Sequence, residues 1–136
     1  MYINIDENYL LNNMFRPAVA NEVLSPEEGL TIGNLFYNTY EPYKHHQPKK
    51  LVAHSEAEQL MLKIQALDLA VNDLGLYLDL NPQDQMVYEI YRRHVEELKK
   101  ACDSYAEKYE PLIIGEKLKG EYTWCKGSWP WEGKNV

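Results

Sequence analysis

SEAEQLMLKIQALDLAVNDLGLYLDLNPQDQMVYEIYRRHVEELKKACDSYAEKYE, residues 55–110, decides the fold, because it alone in the chain keeps one hydrophobic period over many turns. Leu60, Ile64, Leu67, Val71, Leu74 and Leu78 follow one another at alternating steps of four and three residues, which holds them on one stripe of an α-helix. Val87, Tyr91, His94, Leu98, Ala101 and Tyr105 repeat the pattern further on, with Tyr88, Val95, Cys102 and Tyr109 flanking one side and widening the face. Two matching seams predict two helices packed on each other.

The expected boundaries follow from capping chemistry. Ser55 and Glu58 have the spacing of a capping box, which starts the first helix near Glu56. Asp79-Leu80-Asn81-Pro82 closes that helix and opens the next, with Asn81 as N-cap and Pro82 in the first turn, where its missing N–H costs nothing. So short a connection makes the helices antiparallel. Tyr109-Glu110-Pro111 ends the second helix, because a residue before proline is pushed out of the helical region.

A second apolar strip, Leu62, Leu69 and Leu76, recurs every seven residues roughly opposite the seam of the first helix, so the partner helix cannot cover it. Ordering one backbone residue costs about 1–2 kcal/mol, and burying one Leu or Val returns roughly 1.5–3 kcal/mol. A bare hairpin does not close that balance. It needs the flanking segments, a second copy or another protein.

With 136 residues, 45% of them apolar, the chain is one domain at most, with a modest core. Its net charge of −7 argues against nucleic acid, and residues 55–110 hold twelve acidic against six basic side chains, placing the acidity on the wet faces of the hairpin. No apolar run is long enough to span a bilayer, and Met1-Tyr2-Ile3-Asn4-Ile5-Asp6 lacks the basic and apolar regions of a secretory signal. The expected compartment is a cytoplasm. Cys102 and Cys125 have no metal or redox spacing and read as two thiols, with a late disulfide between them as the alternative.

Residues 1–24 show no sustained period and read as an arm that orders only against something. Ser25-Pro26-Glu27-Glu28-Gly29-Leu30 starts a short helix that should reach Ile32 and be capped by Gly33. Leu35-Phe36-Tyr37 then supplies an apolar anchor, followed by Tyr40, Pro42 and Tyr43, and Lys44 to His54 is a basic, Pro-containing linker. After Pro111 come Leu112-Ile113-Ile114 and a tail holding Tyr122 and all three tryptophans, Trp124, Trp129 and Trp131. Pro130 between two of them rules out a helix interior, so the tail is irregular, and large amphipathic rings make it a docking segment. The division is therefore arm and linker (1–54), helical hairpin (55–110) and aromatic docking tail (111–136). The fold class is all-α.

No catalytic constellation stands out. His45, His46 and His54 lie on a linker without a rigid scaffold, and neither helix carries the paired Glu-x-x-His motif of a di-iron bundle. Neither a Ser-His-Asp order nor a glycine-rich phosphate loop is present. Asp68 and Asp73 read as solvated positions, and His94, on the seam, as a histidine with a local hydrogen bond. Gly75 in mid-helix costs roughly 1 kcal/mol relative to Ala, which the close approach of another backbone would justify. Expected cofactors and metals are none.

Ile64-Gln65-Ala66-Leu67-Asp68-Leu69-Ala70, Leu76-Tyr77-Leu78-Asp79-Leu80-Asn81-Pro82, the run from Tyr105 to Leu112 and the terminal Trp124 with Ser128-Trp129-Pro130-Trp131-Glu132 together resemble the CotJB family of spore-coat proteins, over roughly residues 58–133. Upstream, Ser25-Pro26-Glu27-Glu28-Gly29-Leu30, Gly33-Asn34-Leu35-Phe36 and Tyr40-Glu41-Pro42-Tyr43 resemble a second small coat protein, CotJA, normally a separate chain. The resemblance implies a non-enzymatic spore-coat component assembled from the mother-cell cytoplasm. The third member of the usual arrangement resembles a manganese catalase, which makes that enzyme the implied partner.

The expected partner-binding residues are Leu62, Leu69 and Leu76 on the hairpin, Tyr122, Trp124, Trp129, Pro130 and Trp131 on the tail, and Leu35, Phe36, Tyr40 and Tyr43 on the arm. Two alternatives stand beside the adaptor reading: a self-assembling structural protein without an enzyme partner, and a small metal- or redox-handling protein using the linker histidines and the thiols.

Overall fold

Each helix among the described residues begins at a side chain that accepts a hydrogen bond from its own first turn, so the element boundaries follow from local chemistry. In the computed structural model, which describes residues 23–39, 44, 47–113 and 120–122, the elements are α1 (Pro26–Ile32), a 3-10 turn (Tyr37–Thr39), α2 (Glu56–Leu80) and α3 (Gln85–Lys108). Ser25 caps α1 through a complete capping box with Glu28, Pro26 occupies the first turn, and Gly33 closes the helix in the left-handed region at φ 82°. The carboxylate of Glu28 accepts from the Ser25 hydroxyl and N–H, which holds its pKa below the ordinary value.

At the start of α2, Ser55 accepts from the Glu58 N–H at 3.2 Å. The other half of the expected box is shifted by one residue, since Glu58 accepts from the N–H of His54 rather than of Ser55.

The turn between the long helices corrects a second expectation. Asp84, not Asn81, is the N-cap of α3, its carboxylate accepting from the Val87 N–H at 3.1 Å. Asn81 is committed elsewhere: its backbone N–H and its Nδ2 both donate to the Tyr77 carbonyl, which makes it the C-cap of α2. Pro82 therefore sits in the turn itself and not in the first turn of α3.

α2, with 25 residues and a length of about 37 Å, packs antiparallel on α3. Lys108 at the end of α3 pairs with Glu56 at the start of α2, a contact that raises the Lys108 pKa and marks the open end of the hairpin. Leu74 and Val87 are fully buried near the turn; Ile64, Leu67 and Ala101 form a second buried cluster towards the open end, joined by Leu98, Cys102, Tyr105 and Leu112. The predicted seams thus meet. The predicted flank does so in part: Cys102 packs on the cluster at the open end, whereas Tyr88, Val95 and Tyr109 are exposed, and near the turn α3 widens its buried face on the other side, through Ile90. The cause is Leu35, with Val23 and Phe36, which packs into the same cluster as Ile90. Among the described residues the only β pairing is one antiparallel bridge, Val23 with Phe36.

Candidate functional site

Residues 23–39 form a small folded unit seated on the hairpin next to its turn. Most of its order is internal. The Leu24 N–H donates to the Leu35 carbonyl at 2.9 Å, and the N–H groups of Gly33 and Asn34 both donate to the Gly29 carbonyl. Asn34 shapes the following bend, its Oδ1 accepting from the Phe36 N–H at 2.8 Å and its Nδ2 donating to the Thr39 hydroxyl. Gly29 is needed for the fold-back, since a Cβ there would lie 3.0 Å from Leu35 Cδ1 and 3.4 Å from Leu35 Cα.

Three contacts carry the seating. The Leu35 side chain is 0% exposed, in one cluster with Ala70 and Leu74 of α2 and Val87 of α3. Its backbone N–H, which the bend leaves without an internal partner, donates to Asp73 Oδ2 at 2.9 Å. Phe36 packs its ring on Tyr77 with centroids 5.2 Å apart. The Tyr77 hydroxyl in turn donates to Asp84 Oδ2 at 3.0 Å, so the residue that caps α3 also orients the ring that receives Phe36.

Two of the expected partner-binding residues lie against the chain's own hairpin in this arrangement. Leu35 belongs to the intramolecular core and Phe36 is half-buried beside it, because the bend at Asn34 turns both towards the groove of the hairpin. Asp73, expected to be solvated, is the residue that receives the Leu35 backbone. No pattern of spacing marks it; a carboxylate one position from a seam leucine was the available signal. Among the described residues Gly75 meets no other backbone: a Cβ there would touch the Tyr91 ring, at 3.8 Å.

On the face of α2 turned away from α3, Leu62 and Leu69 are half-buried and Leu76 is 60% exposed, with Leu80 beside it at 64%. Tyr122 is exposed. Tyr40, Tyr43, Trp124, Trp129, Pro130 and Trp131 lie outside the described residues, as do His45, His46 and Cys125. Cys102 is half-buried in the cluster at the open end. Among the described residues no group of three or more His, Cys, Asp or Glu side chains is placed to hold a metal ion, and no helix is long and apolar enough to cross a membrane.

His94 departs from the expected local hydrogen bond. Its Nδ1 is buried without a hydrogen-bond partner, and Glu97 Oε2 at 3.8 Å is too far to accept from it. Burial lowers the imidazole pKa below the usual histidine value; the nearby charge of Glu97 opposes that shift, and Arg93 reinforces it.

The family model described as CotJB protein matches residues 58–132, more than half of the chain, and the chain belongs to that family. The match covers the hairpin and the tail and begins after the unit at 23–39. It identifies a spore-coat protein. No curated protein and no solved structure matches the chain.

Proposed function

We propose that the chain is a non-enzymatic assembly component of the spore coat that docks onto another coat protein, a manganese-catalase-like one, after synthesis in the mother-cell cytoplasm. The observation that carries the proposal is the apolar surface left on α2. Leu76 and Leu80 are each more than half exposed one helical turn apart, on the side that neither α3 nor the seated Leu35 occupies. Exposed leucines one turn apart on a rigid helix suit a protein surface better than water. The tryptophan tail supplies further anchors, and the family to which the hairpin and tail belong supports a coat role. Residues 1–54 serve as a CotJA-like arm and linker fused to the CotJB half; in support, Gly33, Asn34, Leu35 and Phe36, which carry that likeness, are the residues that build the bend and seat it.

The test is the absolute mass, by light scattering after size exclusion, of the protein alone and co-expressed with the catalase-like coat protein of the same organism. A stable mixed complex, weakened by Leu76→Glu and by deletion of residues 122–136, is the expected result. A defined homo-oligomer that ignores the catalase would replace the adaptor by a self-assembling building block.

A further inference from the structure

The unit at residues 23–39 has the properties of a ligand held in a receptor. Its capping box, its left-handed cap at Gly33, the Asn34 bend and the Leu24–Leu35 bond are all formed within itself. Among the described residues it meets the hairpin through the buried Leu35 with Val23 packed beside it, the Phe36–Tyr77 ring pair, the packing of α1 along α2 and a hydrogen bond to the Asp73 carboxylate. A pre-ordered segment loses little entropy on binding, so a few well-placed contacts are enough to hold it. Burial of the leucine and a charge-assisted bond to its own N–H select that residue by side chain and backbone together.

The linker is longer than the span it has to bridge to its own hairpin. From Asp73 back to Glu56 along α2 is about 26 Å, whereas the 16 residues between Thr39 and Glu56 reach roughly 50 Å when extended. Leu51 and Val52 in that linker are both more than half exposed.

We infer that the groove formed by Ala70, Asp73, Leu74, Tyr77 and Val87 is a peptide-binding site specific for the 23–39 unit, and that it accepts this unit from a second copy of the chain as well as from its own. Exchange of such a unit joins copies without any new interface having to form. Within one chain the tether keeps the local concentration high, so exchange dominates where the protein is crowded against itself. The inference concerns this chain's own segment and groove and does not rest on the coat-docking reading.

The probe is a dye-labelled synthetic peptide of residues 23–39, followed by fluorescence anisotropy. The receptor is the full chain carrying Leu35→Ala and Phe36→Ala, which empties its own groove. Saturable binding is expected. It should weaken by about tenfold when Asp73→Ala is added, the scale of one partly buried hydrogen bond to a charged group, and by at least about tenfold in the wild-type chain, whose own unit competes. No binding to the emptied receptor with its helices intact, or equal binding to emptied and wild-type chains, overturns the inference. Should the double variant fail to fold, a protease site placed between Gln47 and Val52 of the wild-type chain decides: after cleavage the two pieces co-elute and the labelled peptide displaces the natural one if the inference holds, and they separate on dilution if it does not.

Discussion

The carboxylate of Asp73 and the backbone N–H of Leu35 are joined by a 2.9 Å hydrogen bond across 38 residues of sequence. Among the described residues it is the side-chain hydrogen bond that ties the N-terminal unit to the hairpin. Asp73→Ala leaves the Leu35 N–H without an acceptor at the edge of the core and should cost about 1–3 kcal/mol, read from urea denaturation. Asp73→Asn keeps an accepting oxygen and should fall between the two. Hydrogen exchange would place the loss: the Leu35 and Gly33 amides should open sooner in Asp73→Ala, with the α2–α3 seam unchanged. Equal stability of Asp73→Ala and wild type would mean that water serves the Leu35 N–H as well.

Two helical glycines should respond in opposite directions to alanine. At Gly29 the new methyl would meet the Leu35 backbone at 3.4 Å and its side chain at 3.0 Å, and Leu35 is locked in the core and unable to retreat. Gly29→Ala should therefore destabilise by about 1–3 kcal/mol despite its better helix propensity. At Gly75 the Tyr91 ring stands at 3.8 Å, an ordinary contact. Gly75→Ala should stabilise by roughly 0.5–1 kcal/mol. Thermal melts of the two variants check the pair, and a shift of the same sign in both would contradict the geometry.

Asp84 has two tasks, capping α3 through Oδ1 and receiving the Tyr77 hydroxyl through Oδ2. Tyr77→Phe removes only the second and should cost about 0.5–1.5 kcal/mol. Asp84→Ala removes both, with a cap worth about 0.5–2 kcal/mol in addition. Asn81→Ala, which loses a single bond to the Tyr77 carbonyl, should be milder than Asp84→Ala. Denaturation midpoints in the reverse order would return the N-cap to Asn81.

His94 should make the fold acid-sensitive. Burial lowers its folded pKa below the ordinary 6.5, against the pull of Glu97 and Glu27, so the unfolded chain binds the proton more readily. Stability from this group is therefore full above pH 6.5, declines as the pH falls through that value, and levels off below the folded pKa. The wild-type denaturation midpoint should drop between pH 7 and pH 5 more steeply than that of His94→Leu. Parallel pH profiles for the two proteins would remove His94 from the acid response.

Much of the fold was readable from short windows of sequence, and the reason is visible in particular residues. Ser25, Glu28 and Gly33 act on each other within one or two turns, so α1 is bounded as its sequence implies. The seams of α2 and α3 meet because their periods match residue by residue. Readings failed where one residue had two possible uses. Asn81 was equally suited to cap the helix behind it or ahead of it, and the Tyr77 carbonyl decided. Tyr88 and Val95 were as good a flank as Ile90 until Leu35, with Val23 and Phe36, packed into the same cluster as Ile90. Leu35 and Phe36, expected as anchors, lie in the chain's own groove.

By itself the sequence determined the all-α hairpin, its antiparallel sense, the short capped helix before it and the likeness that the family match supports, since each rests on periodicity or on chemistry within a few residues. Only the tertiary structure decided that Asp73 receives Leu35, that Phe36 packs on Tyr77, and that Ile90 rather than Tyr88 is drawn towards the core. These are non-local choices between surfaces of similar apolar character. The backbone N–H of Leu35, leaving the bend at Asn34, finds its acceptor in Asp73, 38 residues away, and no short window of sequence holds both.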